Sequence, residues 1–175
     1  MVLSAMADFE GAIDTFRQSI AIAPNFIANY LELGNAQLAK GDLTAATETF
    51  RQVLMHMPDD AKALNGLGDI SMRQGDFSSA TEHFQGAHNV EPVDVEILSN
   101  LATAYFRAGE IQQAINIFNR ALRINPHHRL AWQNIYFCLK IGRGSEPPTP
   151  AEAMAILDRE TLTAAPLQAS LLQFK

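Results

Sequence analysis

Ala46-Thr47-Glu48-Thr49-Phe50 is followed 34 residues later by Ala80-Thr81-Glu82-His83-Phe84. The same frame stands at Ala12 and Phe16, and again at Ala114 and Phe118. Prolines keep that period at Pro24, Pro58, Pro92 and Pro126. So do three turns, Gly41-Asp42-Leu43, Gly75-Asp76-Phe77 and Gly109-Glu110-Ile111. Several kinds of residue that agree on one spacing mark a tandem repeat, and a repeat decides the architecture before any single element is assigned.

Each repeat reads as two helices. The glycine accepts the positive φ that ends the first helix. The acid after it sits where the dipole of the second helix favours negative charge. The proline cannot continue that second helix. First helices are predicted at 27–40, 61–74, 95–108 and 129–141, second helices at 8–22, 43–56, 77–90 and 111–124. Residues four apart share a helix face, so each Ala-x-x-x-Phe pair puts a small and a large residue on one stripe. The alanine lets helices approach and the phenylalanine fills the space beyond it.

These residues resemble the tetratricopeptide repeat family. Tyr30, Leu33, Gly34, Ala46, Phe50 and Pro58 carry its pattern in the first full repeat. Leu64, Leu67, Gly68, Ala80, Phe84 and Pro92 carry it in the second, and Leu98, Leu101, Ala102, Tyr105, Ala114, Phe118 and Pro126 in the third. The resemblance spans about residues 8–141. It implies an all-α fold, a right-handed superhelical α-solenoid with a concave groove. Residues 1–26 then form the second helix of an incomplete repeat, 27–60, 61–94 and 95–128 are full repeats, and 129–142 is the first helix of a degenerate one.

Both ends depart from the pattern. Residues 8–22 read as a second helix without its partner. Either the chain is a piece of a longer protein, or this edge is covered by a partner or another copy, since terminal repeats need a cap. At the other end Tyr136 replaces the small residue where paired helices cross. Residues 143–175 open with a Gly/Pro-rich linker. Thr149-Pro150-Ala151-Glu152 resembles a capping box that starts a short helix at 150–160. That segment reads either as a cap on the last repeat or as a tail that folds on a partner or a neighbouring copy.

Composition removes several function classes. Thirteen Lys and Arg against nineteen Asp and Glu give a net charge of −6, unsuited to general nucleic-acid binding. One cysteine excludes an internal disulfide and a cysteine-based zinc site. The N-terminus lacks the basic and apolar regions of a signal peptide, and no stretch would insert in a membrane. The location expected is cytoplasmic, or membrane-peripheral through a partner, and general resemblance suggests a bacterial protein. No phosphate loop, nucleophile elbow or dinucleotide fingerprint occurs. His56, His83, His88, His127 and His128 lack metal-ligand spacing and read as solvated or helix-end residues. Cys138 reads as a small core residue. Neither catalytic residue, metal nor cofactor is expected, and the chain reads as non-enzymatic.

What remains is binding. The resemblance implies a groove lined by first-helix positions: Leu31, Asn35 and Leu38, then Lys62, Asn65, Asp69, Met72 and Arg73. The third repeat gives Glu96, Ser99, Thr103, Phe106 and Arg107, and the partial fourth Gln133, Phe137 and Lys140. Leu38, Met72 and Phe106 are expected to receive apolar side chains, and Arg73 and Arg107 to hold carboxylates. Relatives that clamp chaperone tails use lysines, asparagines and arginine, whereas the matching places here hold Leu31, Asn35, Gly66, Glu96 and Asn100. Only Asn35 fits, and Glu96 would repel a carboxylate. The leading expectation is an adaptor that holds a protein or peptide partner in the groove. The alternatives are a scaffold that self-associates through its first helix or its tail, and a module of a larger enzyme.

Overall fold

The structure, a computed structural model, describes residues 8–142, with residues 136 and 139–142 described by backbone alone. The described residues form eight helices: α1 Phe9–Ile22, α2 Ile27–Lys40, α3 Leu43–His56, α4 Ala61–Gln74, α5 Phe77–Val90, α6 Val95–Arg107, α7 Ile111–Ile124 and α8 Arg129–Gly142. Every boundary falls within one residue of the sequence expectation. α6 stops at Arg107 and Ala108 is its C-cap. The linker and the helix expected after residue 142 lie outside the described residues.

Local chemistry sets the ends. Gly41 and Gly75 take φ of 91° and 78°, a region closed to most side chains. At the first of these turns Gly41 N donates to Leu38 O and Asp42 N to Gln37 O, which satisfies carbonyls the helix leaves open. At these two turns the acid then caps the next helix, whereas Glu110 at the third makes no side-chain cap. Asp42 Oδ1 accepts from Ala45 N at 3.1 Å, and Asp76 Oδ1 from Ser79 N at 3.1 Å. The Ser79 hydroxyl also donates to Asp76 at 2.7 Å, which holds that carboxyl below its ordinary range. First helices are capped in the same way by Asp60 and Asp94. Phe26 stands at that position before α2 and makes no side-chain cap.

The chain divides into two compact units at Pro92/Val93. In the first, α1 packs on α2, α2 on α3, α3 on α4 and α4 on α5, while α2 also touches α4. Its core gathers Leu31, Leu38, Ala46, Phe50, Val53, Ala63, Leu67 and Ile70. In the second, α6 packs on α7, α7 on α8, and α6 touches α8. There the core is built on Leu98, Ala102, Phe118, Ala121, Ile135 and Cys138.

The repeated phenylalanines are the pivots. Phe50 is 1 % exposed. A Cβ built on Gly34 would lie 2.7 Å from its ring, and one on Gly66 would lie 2.5 Å from it. The ring therefore fills the space left by two hydrogen side chains, one in its own repeat and one in the next. Gly68 does the same for Phe84, with a Cβ 2.5 Å from that ring. Burying such a ring contributes roughly 1.5–3 kcal/mol by transfer alone.

Candidate functional site: the solvent-facing stripes of the first helices

Each first helix carries a stripe in one common register, exposed or partly exposed except at Gly66. On α2 the face is Ala28, Glu32, Asn35 and Ala39, all exposed. Shifted by one repeat, it becomes Lys62, Gly66, Asp69 and Arg73 on α4, of which Gly66 is covered by Phe50. On α6 it is Glu96, Asn100, Thr103 and Arg107, and on α8 Leu130, Asn134 and Phe137. Steps of four, three and four residues keep to one side of a helix, so the stripe is a direct product of helical geometry.

Eight of the residues singled out from sequence lie on this stripe: Asn35, Lys62, Asp69, Arg73, Glu96, Thr103, Arg107 and Phe137. Another set flanks it, with Asn65, Met72, Phe106 and Gln133 partly exposed. Three others need correction. Leu31 and Leu38 are buried in the first unit's core, so neither offers a surface to a partner. Ser99 is also buried. Its hydroxyl donates to Val95 O at 2.7 Å and lies 3.4 Å from His128 Nδ1. The side chain of Lys140 lies outside those described. Glu32, Leu130 and Asn134 are stripe residues that the sequence reading left out. The four-three-four step applied at the 34-residue period would have found them.

Polar side chains tie neighbouring first helices together within each unit. Arg73 Nη1 on α4 donates to Leu38 O at 3.0 Å, a carbonyl in the last turn of α2. Its Nη2 pairs with Asp69 at 3.3 Å. This guanidinium is therefore held by its own unit, where the sequence suggested a free clamp for carboxylates. In the second unit Asn134 Nδ2 donates to Thr103 Oγ1 at 3.4 Å, which joins α8 to α6. Beside that bond Phe106 and Phe137 are partly exposed, and Leu130 is largely open. The first unit's stripes are thus charged and polar. In the second, the α6 stripe is likewise charged and polar, while Leu130 and Phe137 on α8, with Phe106 beside the α6 stripe, add apolar surface.

Two of the histidines are helix-end residues. His88 lies in the last turn of α5 and is buried. His128 Nδ1 accepts from Ala131 N at 3.3 Å at the start of α8, so it stands in for the capping aspartates of earlier repeats. Cys138 is fully buried, and burial pushes its thiol up to about 11, far from a nucleophile's range. Among the described residues no group of three or more His, Cys, Asp or Glu is placed to hold a metal ion. Nor is any described helix long and apolar enough to cross a membrane.

The family model described as the tetratricopeptide repeat matches residues 3–70 and 71–136. No curated protein matches the chain by sequence. Among solved structures, a crystal structure of MamA aligns at a TM-score of 0.72 and 24% identity, covering 90% of this chain and 91% of that one. MamA residues 41–end from Desulfovibrio magneticus RS-1 align at 0.75 and 18% identity, covering 91% and 89%. An O-GlcNAc transferase of Thermobaculum terrenum aligns at 0.61 and 24% identity, over 65% of this chain and 22% of that one. At these identities the likeness is one of fold.

Proposed function

Because the chain belongs to the tetratricopeptide repeat family, with an all-α fold of the α-solenoid class, we propose that it is a non-enzymatic adaptor whose first-helix stripes hold a segment of a partner protein. The observation that carries this reading is the common register of these stripes on α2 and α4 of the first unit and on α6 and α8 of the second, exposed or partly exposed save at Gly66. A surface repeated at fixed spacing suits a partner that is itself regular, a helix or an extended strand. In the second unit, Phe106, Phe137 and Leu130 would receive apolar side chains, while Asn134 and Thr103 would satisfy backbone groups beside them. In the first unit, taken by itself, Asn35, Lys62 and the Asp69–Arg73 pair would meet polar groups of a partner. A buried aromatic contact ringed by hydrogen-bonding groups is the usual make-up of a binding hot spot.

The test is capture from lysate of the source cells by the wild-type chain and by Arg73→Glu/Arg107→Glu. Circular dichroism must show equal helicity for both. A protein retained by wild type and lost with the double variant supports the reading. The same proteins captured by both reject it.

A further inference from the structure

Exposed apolar side chains are concentrated at one kind of turn. Among the described residues every large exposed hydrophobic except Phe9 lies at a turn between repeats or on the helix ends flanking one. The turns within repeats, at residues 40–42, 74–76 and 108–110, carry none. In the first unit, Ile22 and Phe26 flank the α1–α2 turn, and Met55 and Met57 the α3–α4 turn. In the second, Ile124 and Leu130 flank the α7–α8 turn. Ile22 is 86 % exposed and Met55 81 %; single exposed side chains of this kind are ordinary, and it is their grouping at one kind of turn that bears on a docking surface.

Charge divides between the stretches of chain that carry these patches. Residues 1–92 hold twelve acids against five bases, a formal −7. Residues 111–142 hold Arg120, Arg123, Arg129 and Lys140 and no acid at all, a formal +4. Locally, the α3–α4 turn carries Asp59 and Asp60 against Lys62, and α5 ends on exposed Glu91. The α7–α8 turn carries Arg123 and Arg129 beside two histidines. One chain thus presents an apolar patch with acidic neighbours and another with basic neighbours.

We propose that copies of this chain associate head to tail, the α7–α8 turn of one copy docking on the inter-repeat turns of the first unit of the next. The apolar side chains supply contact area and the opposite charges select the pairing. Such a contact is heterologous, since the two patches differ, and it extends or closes according to the rotation between copies. The surface meets the first-helix stripes at Leu130 and Lys62, but none of Arg123, Arg129, Asp59 and Glu91 lies on a stripe, so reversing their charges reads association apart from the proposed adaptor role.

The test is sedimentation velocity of the full chain over a range of concentrations at low and high salt. The expected result is a sedimentation coefficient that rises with concentration at low salt and less so at high salt, as screening predicts. Arg123→Glu/Arg129→Glu should weaken association by about tenfold or more, and Asp59→Arg/Glu91→Arg likewise. All four positions are exposed, and circular dichroism confirms the fold. An equal mixture of the two variants should associate again, because each supplies the charge the other has reversed. A wild-type chain that stays monomeric throughout overturns the proposal. So does association indifferent to both variants, or a mixture that fails to recover. Vesicles of phosphatidylserine and phosphatidylcholine form a separate arm. A monomeric chain that sediments with them through Arg123 and Arg129 would reassign the basic patch to an anionic membrane surface.

Discussion

Phe16 and Phe50 occupy equivalent places in the repeat, yet they stand in different surroundings. Phe50 is buried between Gly34 and Gly66, with α2 on one side and α4 on the other. Phe16 is only partly buried. α1 packs on α2, and it has no described helix on the side where α3 has α2. Glu32 holds the position that Gly66 has one repeat later. An identical motif therefore has unequal energetic value, because a solenoid residue is stabilised by its neighbouring repeats as much as by its own.

The largest effect should come from Phe50→Ala. It removes a ring held on both faces, and both the transfer and the cavity terms count. The expected loss is about 3–5 kcal/mol, read as a lowered urea midpoint. Gly66→Ala probes the same contact from the other side. A helix interior gains from Ala over Gly by roughly 0.5–1 kcal/mol, but the new methyl meets a ring that Gly34 prevents from retreating. The net is a loss of about 1–2 kcal/mol, and a gain in stability would show that the ring can move. Phe16→Ala should cost only about 1 kcal/mol, the transfer value of a side chain already partly in water. If Phe16→Ala matched Phe50→Ala, the two environments would be energetically alike and the contrast would fail.

The fold was legible because its signals are redundant. Period, turn glycines, the acids after them and prolines agree on one set of helix ends, and an error in one is corrected by the others. The binding surface was less legible, for a geometric reason. A first helix contacts its own repeat, the next repeat and solvent, so an apolar residue such as Leu38 can belong to either a core or a groove by periodicity alone. Leu31 and Leu38 turned out to be core, whereas Met72, at Leu38's place one repeat on, is partly open. Arg73 was legible as a periodic cation but not as a ligand of Leu38 O, because that bond spans 35 residues of sequence. His88 lies near a helix end in sequence, yet packing covers it, which one-dimensional position does not reveal.

Phe50 touching glycines on both α2 and α4 also bears on the order in which the first unit opens. Detaching either helix strips one face of the ring and leaves the remaining contact weak. The amides of α2, α3 and α4 should then exchange with solvent through a shared opening, as one cooperative block. α1 has no such interlock and contributes a partly exposed ring, so its amides should exchange earlier, by fraying that leaves the block intact. A pair of missing side chains thereby sets the grain size of unfolding.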